Sequence, residues 1–170
     1  MKIAIIGGTG KEGKGLAYRW LKAGHEIIIG SRSLEKATAA VEDLRKLFSG
    51  DIKISGMINS EAAAQAELAV LTVPYQAHKA ILEELKPVLK GKLLIDVTVP
   101  LVPPKVTRVQ LPAAGSAALE AREILGDEVE VVSAFQNISY EHLLDDETEA
   151  ICDVLVTGGS KETRKTVLDL

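Results

Sequence analysis

The sequence predicts an α/β fold, a mainly parallel sheet with helices on both faces, on three observations. Short apolar, β-branched runs alternate with stretches of helical period almost from end to end. The first of those runs, residues 2–6, stops at a glycine-rich turn, and the turn opens directly into an amphipathic helix. Within it Gly8, Gly10 and Gly13 fit G-x-G-x-x-G, which between a strand and a helix marks a Rossmann-type NAD(P)-binding fold. One glycine permits the tight turn, one lets the backbone approach a pyrophosphate, and one lets the helix pack close to its strand. The N–H groups and dipole of the helix start then favour negative charge in front of them.

Each element has its own signal. KIAII at residues 2–6 has the composition of a buried strand, and Leu16, Ala17, Trp20 and Leu21 then recur at helical spacing. The second strand is residues 26–29, ending at Gly30. Leu34, Ala37, Ala40, Val41, Leu44 and Leu47 recur at three and four, which predicts a surface helix with Ser33 as N-cap. A short third strand at 52–54 precedes an alanine-rich helix at 61–66, capped by Asn59 or Ser60. The fourth strand, 68–72, stops at Val73-Pro74, and a helix over 76–89 follows, with Pro87 as a break or early stop. The fifth strand is 92–97, and 98–104, with three prolines, must be loop. Beyond it come a helix at 113–125, a strand at 129–133, a loop at 134–140, a short helix, a strand at 151–156 and a last helix from Ser160. That helix reaches Leu170 without a Gly or Pro stop, so it ends with the chain or the chain is a fragment of something longer.

A length of 170 residues suits one domain, residues 1–170. A formal net charge of −4 argues against nucleic acid as the main partner, since binding a phosphate backbone wants a basic face. No apolar run approaches a membrane span, and the N-terminus reads as strand rather than signal peptide, so cytoplasm is the expected compartment. Cys152 is the only cysteine, which excludes an internal disulfide, and its apolar run predicts a buried structural thiol.

The end of the second strand is where the choice of dinucleotide is read. An NAD enzyme usually carries Asp or Glu there for the ribose 2′-hydroxyl, whereas NADP wants an arginine and no acid. Here stand Ser31 and Arg32, with Lys36 one turn on. Arg32 can meet a 2′-phosphate with its planar fork, Ser31 adds a hydroxyl and Lys36 a point charge. NADP(H) is the expected ligand; the plainer alternative is that both cations are merely solvated.

Three loops follow strands at the same rim. Thr72, Val73, Pro74 and Tyr75 leave backbone groups free for ribose or nicotinamide, or simply end a strand. Thr98 and Val99 face the nicotinamide side of the crevice, and Gln136, Asn137 and Ser139 can hydrogen-bond a second substrate or only water. Catalytic acid–base apparatus and metal motifs are not visible. His25 is expected to cap or pack, while His78 and His142 lie near the rim and read as solvated helical histidines. Asp145, Asp146 and Glu147 read as the acid cluster of a helix N-terminus rather than metal ligands.

In IIGGTGKEGKGLA, HEIIIGSRSLEKA, AVLTVPYQA, LLIDVTVP and VVSAFQNIS, in that order, the chain resembles the NADPH-dependent F420 reductase (F420:NADP oxidoreductase) family over essentially residues 1–160. The resemblance implies that Thr9, Gly10, Lys11 and Glu12 hold the pyrophosphate and Ser31, Arg32 and Lys36 the 2′-phosphate. It puts Tyr75, Val99 and Tyr140 at the nicotinamide end, and the deazaflavin, coenzyme F420, as co-substrate near Gln136, Asn137 and Ile138. Hydride would pass between nicotinamide C4 and deazaflavin C5, chemistry that needs alignment more than acid–base groups. Family members continue into C-terminal helices that close the deazaflavin site and contribute to a homodimer; this chain ends at Leu170 before them. Two other readings stand beside it: a non-catalytic NADP(H)-binding module or subunit, and an NADPH-dependent reductase of a flavin or a small imine or carbonyl substrate. The imine case would need a proton donor, for which Tyr75, His78 and Tyr140 are placed.

Overall fold

The computed structural model describes residues 1–102, 108–145 and 152–170. Seven strands form one sheet in the order β3-β2-β1-β4-β5-β6-β7. The strands are β1 (Lys2–Ile6), β2 (Glu26–Ser31), β3 (Ile54–Ile58), β4 (Leu68–Leu71), β5 (Leu93–Asp96), β6 (Glu130–Ser133) and β7 (Thr157–Gly158). All neighbours are parallel except β6 and β7. The helices are α1 (Lys11–Lys22), α2 (Leu34–Arg45), α3 (Asn59–Gln65), α4 (Tyr75–Leu89), α5 (Ala117–Leu125), α6 (Tyr140–Leu144) and α7 (Lys161–Leu168). This is the Rossmann-type architecture the sequence predicts.

The strand period of two divides the core between the faces. Ile3 and Ile5 of β1 join Leu16 of α1, Ala37 of α2 and Leu143 of α6 on one side. Ala4 and Ile6 join Ala62 of α3, Leu82 of α4 and Ala121 of α5 on the other. Both faces of the central strands are buried, which is why they read as unbroken apolar runs.

The differences from the sequence reading have local causes. The third strand lies at Ile54–Ile58 rather than 52–54: it pairs with β2 as far as Ser31, and α2 crosses it where a Cβ on Gly56 would come within 2.9 Å of the Ala37 backbone. Asn59 is the first residue of α3, with Ile58 at the N-cap. α4 runs through Pro87 to the fully buried Leu89, so in its last turn one lost hydrogen bond is outweighed by packing. α5 begins four residues later than expected, where the Ser116 side chain accepts from Leu119 N, just past Gly115 at φ +95°.

Residues 152–156 form no strand, and Cys152 is exposed rather than buried; Ile151 lies outside the described residues. The last strand pairing is instead the two-residue β7. Asp145 is the C-cap of α6, not part of a helix N-terminus, and Asp146 and Glu147 lie outside the described residues. α7 stops at Leu168 without Gly or Pro, with Asp169 as its C-cap. Among the described residues no helix is long and apolar enough to cross a membrane.

Candidate functional site

The carboxyl ends of β1, β2, β4 and β5 open on a cleft of about 690 Å³, a volume of ligand-binding size. It lies where the strand order reverses, between β1 and β4, with one crossover leaving to each face of the sheet.

The glycine turn forms its floor. Gly7 has φ +72°, and a Cβ there would stand 2.6 Å from the Val73 side chain. Its N–H donates to Asn59 Oδ1 at 3.3 Å, while the next amide, of Gly8, donates to Ile5 O and Gly30 O, pinning the turn to both inner strands. A Cβ on Gly13 would meet Gly8 Cα at 2.7 Å and Thr72 Oγ1 at 2.8 Å, so this position brings α1 hard against the turn. Gly10 is different: a Cβ there would meet only Gly7 O, at 3.7 Å. As the N-cap of α1 it offers no side chain to the first-turn N–H groups, which leaves an open cradle for an anion.

Positive charge lines the same end. Lys11, Arg32 and Lys36 border the cleft, and among the described residues neither Arg32 nor Lys36 has an ion pair. The buried Ser31 lies beside them, its hydroxyl accepting from Ser33 N at 3.2 Å. No acid stands at the end of β2. Glu12 is the one acidic residue on the lining among the described residues. Burial raises its pKa to about 7, and its Oε1 is buried with no partner among the described residues. A second such oxygen is Oγ1 of Thr98, which lines the cleft with Val97 and Val99. Buried polar atoms left unpaired are expensive, and both belong to residues that line this cleft. The open Gly10 cradle and the free cations suit a phosphate-bearing ligand.

Of the residues singled out in the sequence, Thr9, Gly10, Lys11, Glu12, Ser31, Arg32, Lys36, Thr72, Pro74, Thr98 and Val99 line the cleft. Thr72 Oγ1 donates to Ile6 O at 3.0 Å. Tyr75 does not line it; its hydroxyl donates to Glu120 Oε2 at 2.9 Å. Tyr140 is placed on Lys11, whose Nζ lies 3.0 Å from the hydroxyl and 4.6 Å from the ring centre, near the glycine turn. Gln136, Asn137 and Ile138 are off the cleft lining: Gln136 Nε2 donates to Asp96 O and Ser133 Oγ, Asn137 Nδ2 donates to Asp153 O, and Ile138 packs on the core. Their loop starts at Phe135, a non-glycine residue at φ +69° whose ring meets Trp20 edge-on at 5.7 Å.

His25 Nδ1 lies 3.2 Å from the N-terminal amine and His142 is exposed. His78 is not solvated but fully buried, between Asp96 and Glu120. The spacing of His78 to Ile81, Leu82, Leu85 and Leu89 places it on the buried face of α4, a signal present in the sequence. Asn59, which braces Gly7 and lines the cleft, gave no comparable signal.

Comparison with known proteins bears on this site. Residues 2–100 match the model of the family described as NADP oxidoreductase, coenzyme F420-dependent. The F420-dependent NADP reductase of Methanothermobacter marburgensis is 45% identical over 168 residues, covering 95% of this chain and 75% of the relative. That of Methanocaldococcus jannaschii is 40% identical over 176 residues, covering 100% and 78%. A crystal structure from Arthrobacter sp. FB24, described as an F420-dependent NADP-reductase, superposes with a TM-score of 0.81 at 25% identity, over 99% of this chain and 78% of that one. An imine reductase from Bacillus cereus shares the fold, with a TM-score of 0.68 at 20% identity over 99% and 51%.

Proposed function

Because the chain belongs to the coenzyme F420-dependent NADP oxidoreductase family, we propose that it transfers hydride between NADP(H) and the deazaflavin coenzyme F420. The observation that carries the NADP half is the phosphate end of the cleft, where Arg32 after β2 and Lys36 in the first turn of α2 stand without ion pairs among the described residues and no acid follows β2 directly. Bound together, the two cofactors supply the redox chemistry, between nicotinamide C4 and deazaflavin C5.

The chain's own residues bind and align. The amides around Thr9, Gly10, Lys11 and Glu12 receive the pyrophosphate, and Ser31, Arg32 and Lys36 receive the 2′-phosphate. Thr72, Pro74, Thr98 and Val99 bound the nicotinamide end. Tyr75 acts behind that wall through Glu120, and Tyr140 steadies Lys11. The Gln136, Asn137 and Ile138 loop, next along the sheet, borders the deazaflavin. We also read residues 1–170 as one NADP-binding domain, cytoplasmic in setting, with small molecules rather than nucleic acid as ligands; the net charge of −4 supports the last point. A homodimer follows from the family resemblance, and sedimentation velocity checks it.

The test is a spectrophotometric assay of the chain with NADPH and oxidised F420, with FMN as a parallel acceptor. Loss of the deazaflavin absorbance is expected. Tight NADPH binding with no turnover of either acceptor would leave an NADP-binding module instead.

A further inference from the structure

His78 has surroundings unlike those of any other buried side chain on α4. Ile81, Leu82, Leu85 and Leu89 share its face and are all apolar. The His78 ring is fully buried, with Nε2 3.0 Å from Asp96 Oδ2 and Nδ1 2.9 Å from Glu120 Oε1. Two carboxylate acceptors on opposite ring nitrogens call for two N–H donors, the imidazolium form. Burial works against that charge, but Asp96 and then Glu120 outweigh it and hold the ring above the ordinary imidazole pKa. The titratable groups around the ring are Asp96 from β5, Glu120 from α5 and Tyr75 from α4, the last bonded to Glu120.

An apolar side chain would fill this position without desolvating charges, and buried ion clusters add little net stability. What the cluster does fix is geometry. Asp96 Oδ1 accepts from the Thr98 amide at 2.9 Å, and Asp96 O accepts from Gln136 Nε2 at 2.6 Å. One residue therefore joins the buried ring, the cleft wall and the polar loop after β6.

We propose that His78 is a positioning residue for the nicotinamide end of the cleft, holding the Asp96 carboxylate so that it fixes the Thr98 amide and with it the 97–99 wall. The inference rests on the functional reading above, and its test separates the two.

Gln and Asn divide the work of the ring, since a Gln amide reaches the Nε2 position and an Asn amide the Nδ1 position. His78→Gln keeps a donor toward Asp96, and His78→Asn keeps one only toward Glu120. In NADPH:F420 turnover, with thermal midpoints measured alongside, His78→Asn is expected to lower kcat by about 10–100-fold at unchanged KM for NADPH, and His78→Gln to stay within about threefold of the wild type. Equal losses that follow the thermal midpoints, or a loss confined to KM, would overturn the proposal. A second readout needs no change at His78. In Glu120→Gln, where loss of one carboxylate lowers the pH at which the ring titrates, the Thr98 amide resonance should titrate with the ring. A Thr98 amide that stays still while the ring titrates overturns it too. A wild-type chain that binds NADPH but reduces no F420 would remove the functional reading, and the Thr98 titration would still decide this one.

Discussion

Arg32 is the residue on which the choice of dinucleotide turns. It follows the buried Ser31 at the end of β2, is itself exposed, and has no ion pair among the described residues. Its planar fork suits a phosphate held in two-point contact, and Lys36 adds a point charge from the first turn of α2. Arg32→Ala should weaken NADPH binding by about 1.5–3 kcal/mol, the scale of a charge-assisted contact, and leave NADH binding nearly unchanged. Calorimetry with both cofactors checks this, and equal losses for the two would sink the 2′-phosphate assignment. Arg32→Lys should fall between, because it keeps the charge and loses the fork.

The turn between β1 and α1 separates two roles that the sequence motif runs together. A side chain at Gly10 would project into open space at the helix start, whereas one at Gly13 would collide with the Gly8 backbone and Thr72. Gly10→Val should therefore leave the thermal midpoint nearly in place and abolish measurable NADPH binding. Gly13→Val should cost stability of about 1–3 kcal/mol or more through overpacking. A Gly10→Val protein with normal NADPH affinity would make that glycine structural only. The motif was legible in the sequence because its spacing and its place between strand and helix are local. The same holds for β1, β2, β4 and β5, whose burial on both faces writes an apolar run. β3 was shifted because Ser55-Gly56-Met57 carries a weak strand pattern, its glycine being set by the crossing of α2. The apolar run at 152–156 misled in the opposite sense, since the sheet edge is closed by Thr157–Gly158 instead. The polar core around His78 was hidden because Asp96 and Glu120 lie 18 and 42 residues away, and only the assembled fold brings them to the ring.

At the scale of the whole molecule, two apolar layers on one sheet carry the fold, and the charges outside them matter little. The Lys46–Asp43 and Lys90–Glu128 pairs are solvent-exposed, of a kind worth about 0–1 kcal/mol each. Glu12 and His78 should make stability fall as pH rises above the acid range, whereas His25, whose pKa burial holds below 6.5, should make it rise as pH climbs to 6.5. Burial holds the Glu12 pKa at about 7 against an ordinary 4.5, so the folded chain keeps a proton that the unfolded chain releases. Stability from this group is greatest below 4.5, falls as pH rises to about 7, and is level beyond. The His78 pKa is raised above 6.5, so its contribution is whole below 6.5 and is lost as pH rises through the folded value. Asp43, lowered chiefly by its hydrogen bond to Lys14, acts in reverse and gives way only as pH falls below 3.8. Urea midpoints should therefore decline as pH rises above about 6.5, with His25 partly offsetting the Glu12 decline below that pH. Glu12→Gln should flatten the part of that decline below about neutral pH and leave the part that belongs to His78. A profile flat from about pH 5 to 9 in His25→Gln, where the opposing imidazole is gone, would remove both assignments at once. A decline that Glu12→Gln leaves unaltered would remove the first alone, and would return the buried Glu12 oxygen to an ordinary ionised carboxylate at the helix start.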